Sequence, residues 1–327
     1  MHEAEFDALR HLSVRVGRDI EQVQASGGNS SIKAGDIMWV KASGLWLADS
    51  LDEEIFVPVR RDTVLAAIEA QSEDDVRASV IDELNPRGLR PSIETSMHAL
   101  LDHRIVMHTH SVRTIALAVC ENAENLLGER LDGLGWAFVP YYKPGMELTR
   151  GIAETLAGAA GGRGTNILVL GNHGLVVGGD TVAEVEATLA EVEKRLDGPS
   201  APVTEPPISA TAPLTGWKRV EDPLVVSLAA CERLREMALD GSYYPDHVVF
   251  LGPAASETTD SVSKLLLRPD GAYLPADASD SAVAMVRCLA HVLHRIPSDR
   301  AVLRLSLDEE VALMNWDAEK YRQMLER

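Results

Sequence analysis

Cysteine is scarce in this sequence. Cys120, Cys231 and Cys288 are odd in number, far apart and never in Cys-x-x-Cys spacing. That argues against a disulfide framework and against a thiolate metal site, and fits buried thiols in a reducing compartment. Positive charge is short as well: 31 Lys and Arg stand against 50 Asp and Glu, a formal net charge of −19. Such a chain repels the phosphates of nucleic acid and the anionic headgroups of membranes, so neither is expected as a partner. An anionic substrate would have to be held locally, by a metal, helix N-termini and a few placed cations. No window reaches the ~18 apolar residues of a spanning helix, and the opening MHEAEFDALRHL has no apolar run of signal length. A cytoplasmic location is the expectation. Internal repeats and low-complexity tracts are also missing.

What is present is a globular composition, 46% apolar and 25% charged, enough to build a sizeable core. A length of 327 residues calls for one large domain and a smaller one. Phe6, Leu9, Leu12, Val16, Ile20 and Val23 recur in steps of three and four, an amphipathic helix. It runs into the small-residue turn Ser26-Gly27-Gly28-Asn29-Ser30-Ser31. A strand is expected at Ile37–Lys41, then a turn at Ala42-Ser43-Gly44. Pro91 opens another helix with Ser92 as its N-cap. Strand Ile105–Thr109, helix Val112–Cys120, strand Trp136–Val139 and helix Glu147–Ala160 follow. Strands Ile167–Leu170 and Leu175–Val177 then enclose Gly171-Asn172-His173-Gly174, and helix Val182–Leu196 closes the region. This alternation predicts an α/β domain over residues 1–197, one central sheet covered by helices. Residues 198–216, with Pro199, Pro202, Pro206, Pro207 and Pro213 among Ser, Thr and Ala, read as a semi-extended linker. Residues 217–327 read as a small α/β unit. It comprises helix Leu224–Leu239, strand His247–Leu251, a hairpin of Leu265–Leu267 with Tyr273-Leu274, and helices Ser281–His294 and Leu307–Leu325.

The chemistry concentrates in His108-Thr109-His110 at the end of a short strand. Side chains alternate along a strand, so the two imidazoles share a face and make half of a metal site. His173, in its glycine-flanked turn, can approach from a neighbouring strand. Three histidines with one open position describe a catalytic zinc, although imidazole also serves iron, nickel and copper. The bland reading of a His-x-His pair alone is two half-buried strand residues. Glu94 sits in the first turn of the helix after Pro91-Ser92, where a helix N-terminus stabilises a carboxylate; taken singly it would be ordinary capping. The turns at Gly27-Gly28-Asn29 and Ala42-Ser43-Gly44 read either as hairpin closures or as nests of backbone N–H groups for an anion.

In order along the chain, Gly28-Asn29-Ser30, Lys41-Ala42-Ser43-Gly44, Pro91-Ser92-Ile93-Glu94, His108-Thr109-His110, Pro140-Tyr141 and Gly171-Asn172-His173-Gly174 form a set that resembles the class II aldolase/adducin family, fuculose-phosphate aldolase and its relatives. The resemblance spans about residues 6 to 196. It implies a class II aldolase-like α-β-α fold, with zinc (or another first-row divalent metal) on His108, His110 and His173. It makes Glu94 the proton-transfer residue and Gly28, Asn29, Ser43, Gly44 and Ser92 the phosphate binders. Tyr141 matches a tyrosine that in the aldolases reaches an adjacent subunit's site as a proton donor, and a homo-oligomer, a tetramer, is implied. The aldolases often carry two serines before the glutamate; here the second position is Ile93, one hydroxyl donor fewer. The activity implied is an aldehyde-lyase that cleaves or forms a C–C bond in a small sugar, sugar acid or sugar phosphate through a zinc-stabilised enediolate. The alternatives are a keto-sugar-acid phosphate decarboxylase, a ketose-phosphate dehydratase or, in another class, a non-catalytic adducin-like module. The module is disfavoured because all three histidines and Glu94 are kept.

Of the remaining candidates, His98 shares a helix face with Glu94 and is read as a packed supporting histidine, not a ligand. His103, His247, His291 and His294 are read as structural, and Lys33 and Lys41 as flanking charge near the turns. The acidic run Glu73-Asp74-Asp75 is read as a solvated helix start.

Overall fold

The computed structural model describes residues 3–158, 164–205, 214–317 and 320. Its main sheet has seven strands: β1 (Asn29–Ala34), β2 (Ile37–Lys41), β3 (Phe56–Arg60), β4 (Ile105–Thr109), β5 (Trp136–Val139), β6 (Ile167–Leu170) and β7 (Gly174–Gly179). They are ordered β3-β2-β1-β4-β7-β6-β5, and every neighbouring pair is antiparallel except β5 with β6. The period-two alternation of the strands distributes their side chains between two faces. Ile105 and Met107 join Leu9, Leu12 and Val16 of helix Glu3–Arg18 and Val185, Leu189 and Val192 of helix Val182–Leu196. Val106 points the other way, to Met97, Leu148 and Ile152. Helices therefore cover both faces, the α-β-α arrangement expected. His108 follows the parity of Val106 and projects to that second face. Each fully buried Leu or Val on either side contributes about 1.5–3 kcal/mol.

A second antiparallel sheet, β8 (Trp217–Arg219), β9 (Leu266–Arg268) and β10 (Gly271–Pro275), is ordered β8-β10-β9. Its β9–β10 pair is the hairpin read from Leu265–Leu267 and Tyr273-Leu274. The helices around it share one apolar core with helix Val112–Ala118, whose Val112 and Ile115, with Val119 just past its end, pack among Leu228, Phe250, Leu289 and Leu293. This shared core holds the C-terminal region against the segment that leaves β4.

Several expectations are corrected. His247–Leu251 is no strand but part of helix Pro245–Leu251. A short apolar run suits either state, and Pro245 at the first helical position, after extended Tyr244, starts a helix. Leu224–Leu239 is two helices, Pro223–Ala230 and Glu232–Asp240, broken where Cys231 turns to ψ 117°. Ser92 does not cap a helix at Pro91. Pro91 bridges to Ala42 and Ser92 N–H donates to the Lys41 carbonyl (3.0 Å); a turn at Ile93-Glu94 then leads into helix Thr95–Leu100, whose N-cap is Glu94. The first helix ends at Arg18, and the helix expected over Leu307–Leu325 is described from Leu307 to Met314, residues 318, 319 and 321–327 lying outside the described residues. Strands β1 and β3 were not anticipated. Residues 206–213 of the proline-rich stretch, Ala160 at the end of its expected helix and residues 321–327 lie outside the described residues.

Candidate metal centre and cleft

The sheet order sets the site. β4 lies between β1 and β7, with His108 opposite Asn29 on one side and Val176 on the other. His173 sits in the β6–β7 turn, where Asn172 takes the left-handed φ of 51°. Gly174 then passes so close to β4 that a Cβ would strike the Thr109 carbonyl oxygen. The three rings of His108, His110 and His173 converge with centroids 4.9–5.3 Å apart, and candidate ligand atoms from the three lie within 4.8 Å of one another. They form the one three-residue metal-capable group among the described residues.

The geometry tells which nitrogens face inward. His108 Nδ1 lies 3.0 Å from the Leu175 carbonyl, which can only accept, so Nδ1 carries the hydrogen and Nε2 is bare. His110 Nε2 stands 3.1 Å from that bare nitrogen, and its Nδ1 lies 3.1 Å from Asp246 Oδ2. A tetrahedral ion with metal–nitrogen bonds of about 2.0–2.1 Å spaces its ligands at nearly this separation. Glu94 completes the ring of donors: Oε2 is 3.5 Å from His108 Nε2 and Oε1 is 3.4 Å from His173 Nε2. Oε1 is buried without a hydrogen-bond partner. An orphaned carboxylate oxygen facing three imidazoles is costly without a cation, and the residues present fit a divalent metal.

Charge follows the same logic. Burial disfavours protonation of His108 and His173 more than Glu94 favours it, so both stay below the usual histidine range, His173 at about 3. Neutral imidazoles are what a metal requires. Burial alone would raise Glu94, but His108, His173 and His110 and the Asn29 amide overcome it and hold the carboxyl low, at about 2.

Around these donors opens a cleft lined by Gly28, Asn29, Ser43, Gly44, Ser92, Glu94, His110 and His173, together with Lys41, Ile93 and Asp246. Nine of the ten residues singled out from sequence thus gather at one place, His108 buried just beneath. Gly28 must be glycine there: its φ is +59°, and a Cβ would stand 2.8 Å from Val23 and 2.9 Å from the His108 carbonyl oxygen. Lys41 is buried, and its Nζ donates to the carbonyls of Ser26 (3.0 Å) and Ala42 (3.2 Å), tying the two glycine turns together. Asn29 donates to Glu94 Oε2 (2.7 Å) and Ser92 Oγ (3.2 Å), while His98 holds the other end of its amide.

Tyr141 is the exception. It packs against Val248, Leu305 and Leu313 of the C-terminal region, and its hydroxyl is buried without a hydrogen-bond partner. Burial raises its pKa, so it stays a neutral phenol outside the cleft lining. Asp246 is the residue the sequence reading missed. It follows a proline at a helix start, where an aspartate reads as local capping, and no spacing marks it.

A sheet whose central strand and neighbouring turns bring three imidazoles and a carboxylate to one buried point gives an α/β protein with a donor set that fits a divalent metal. Residues 15–197 match the Class II Aldolase and Adducin N-terminal domain, more than half of the sequence, and the chain belongs to that family. It is 30% identical over 190 residues to the "Uncharacterized oxidoreductase YuxG" of Bacillus subtilis (strain 168). That match covers 54% of this chain and 26% of the relative, so this chain spans only about a quarter of that protein. Among solved structures it resembles the N-terminal class II aldolase domain of a conserved protein from Thermoplasma acidophilum, with 25% identity, a TM-score of 0.50, and coverage of 60% of this chain and 93% of that one. The L-fuculose-1-phosphate aldolase of Thermus thermophilus matches at 17% identity and a TM-score of 0.40, covering 60% and 93%. Among the described residues, no helix is long and apolar enough to cross a membrane.

Proposed function

We propose that this chain is a metal-dependent lyase that makes or breaks a C–C bond in a small sugar, sugar acid or sugar phosphate. The observation that carries the reading is the meeting of three histidine rings with the buried Glu94 carboxylate at the floor of a donor-lined cleft. His108, His110 and His173 would hold the ion, zinc by the preference of imidazole sites. When bound, the metal supplies a Lewis acid that polarises a carbonyl and offsets negative charge developing beside it. Glu94, held ionised, takes a proton from or returns it to a carbon next to that carbonyl. Asn29 keeps the carboxylate aimed through its 2.7 Å bond. The Gly28 and Ser43-Gly44 turns, with Asn29, Ser92 and Lys41 beside them, offer N–H and hydroxyl donors to the anionic end of the substrate. A tetramer in the cytoplasm is part of the same proposal.

A second reading, decarboxylation or dehydration of a related keto compound, uses the same parts. It is favoured by Ile93, which places an apolar side chain on the cleft wall where a second serine would add a donor. The complete set of three histidines and Glu94 argues against a non-catalytic module.

The test is metal content by mass spectrometry on protein purified without a metal-affinity tag, followed by product analysis on sugar phosphates and keto acids. About one first-row metal per chain, lost in His110→Ala, supports the site. Glu94→Gln should keep the metal and lose about 10²–10⁴-fold in turnover. No metal after reconstitution removes the enzyme reading, and an active Glu94→Gln removes Glu94 from the chemistry.

A further inference from the structure

The family match ends at residue 197, yet the floor of the cleft holds a residue from beyond it. Asp246, on helix Pro245–Leu251, is 3% exposed and places Oδ2 3.1 Å from His110 Nδ1. His108 and His110 are thus treated alike. Each has one nitrogen toward the cluster and the other toward an oxygen, His108 by a hydrogen bond to the Leu175 carbonyl and His110 by a 3.1 Å ion-pair contact with the Asp246 carboxylate. A carboxylate at the outer nitrogen of a ligating imidazole fixes its tautomer and orientation and strengthens it as a ligand, typically by 10–100-fold in metal affinity.

We infer that Asp246 is the positioning residue for His110, so that the C-terminal region completes the metal centre of the family domain; this rests on the metal reading above. Two further contacts agree with it. Gly27 lies against the pair so closely that a Cβ would stand 2.7 Å from both Asp246 Oδ2 and His110 Nδ1, leaving no room for any other residue there. The C-terminal region also grips the second ligand turn. Asn172, the neighbour of His173, donates through Nδ2 to the carbonyls of Tyr243 (3.0 Å) and Leu303 (2.9 Å). Two of the three ligand segments are therefore anchored from outside the family domain.

The experiment uses the full chain. Zinc affinity is measured by competition with a chromophoric chelator for the wild type, Asp246→Ala, Asp246→Asn, Gly27→Ala and Leu189→Ala. The visible spectrum of each cobalt-substituted protein and the thermal unfolding of each metal-free form are recorded in parallel. Asp246→Ala should lose about 10–100-fold in affinity, with a changed cobalt spectrum, and Asp246→Asn less. Gly27→Ala should weaken binding although both partners remain, because the new methyl wedges them apart. Leu189→Ala, which opens the core on the opposite face of the main sheet, should lower thermal stability and leave affinity unchanged. Asp246→Asn keeps the shape of the side chain and decides the matter if Asp246→Ala does not fold. Wild-type affinity and spectrum in folded Asp246 variants would overturn the inference while leaving the metal site standing. A wild type that binds no metal would overturn both.

Discussion

Replacing His98 with leucine tests whether the carboxylate of Glu94 is held by a chain of buried hydrogen bonds. His98 is fully buried, with Nδ1 2.7 Å from Ser31 Oγ and Nε2 against Asn29 Oδ1. Burial, reinforced by the charge of Lys33, holds its pKa at about 3, so the ring is neutral with one donor and one acceptor. Asn29 spends its amino group on Glu94 and Ser92, so its carbonyl must face His98. The network therefore assigns the ring hydrogen to Nε2 and makes Nδ1 the acceptor of the Ser31 hydroxyl. Leucine offers neither role. It leaves Asn29 Oδ1 and the Ser31 hydroxyl buried and unpaired, at about 1–3 kcal/mol each, an expected loss of about 2–6 kcal/mol. Urea unfolding measures it, and removing Ser31 as well should recover part of it, since a pair deleted together leaves fewer orphans. Metal content should survive, because His98 is no ligand, while turnover falls as Asn29 loses its hold on Glu94. A His98→Leu protein with the wild-type urea midpoint and turnover would refute the chain.

Two other perturbations have signs fixed by the structure. Gly174→Ala drives a methyl into the Thr109 carbonyl where β4 pairs with β7, so it should cost about 1–3 kcal/mol or more and lower zinc affinity; chelator competition and urea unfolding together check it. Lys33, 8% exposed with Nζ on the His103 carbonyl, is pushed down to about 7, first by burial and then by Arg61. Between pH 7 and its ordinary pKa of 10.5 the unfolded chain binds the extra proton, so this lysine's penalty is full below pH 7 and is relieved as pH rises. Relative to Lys33→Met, the wild type should gain about 2 kcal/mol between pH 7 and pH 9, and a pH-independent difference would mean that Lys33 is not held in its neutral form.

The fold was readable where periodicity and punctuation agree. Helix Val182–Leu196 has a repeating apolar face and a Thr181–Glu184 capping box, and it was placed to the residue. Strands β4, β5 and β6 are short apolar runs between turn residues and were placed equally well. β1 was missed because Asn29-Ser30-Ser31 carries no apolar residue to alternate. Its polar side chains are buried nonetheless, Ser30 against Ser13 and Ser31 against His98. Polar residues satisfy one another in pairs that only the folded chain brings within reach, and composition alone reads such a segment as a loop. The helix at Pro245–Leu251 failed for the opposite reason: four consecutive apolar residues have no period to read.

The site divides along the same line. His108, His110, Glu94, His173 and the glycine turns could be listed from sequence because each stands in a short motif whose spacing has a local meaning. What spacing cannot convey is which partner stands behind each ligand. The Leu175 carbonyl behind His108 follows from strand pairing and was implicit once β4 and β7 were neighbours. Asp246 behind His110 depends instead on helix Val112–Ala118 sharing its core with Phe250 and Leu289, which delivers a helix start more than a hundred residues away to the cleft. Tyr141 shows the same dependence in reverse. Its motif marks it as a proton donor to an adjacent subunit, and within this chain Val248, Leu305 and Leu313 pack against it, outside the cleft lining. The candidate ligands were legible because they are local, whereas the groups packed behind them are set by tertiary packing. For that reason the C-terminal region, which carries no readable motif, enters the cleft through Asp246 without a signal in the sequence.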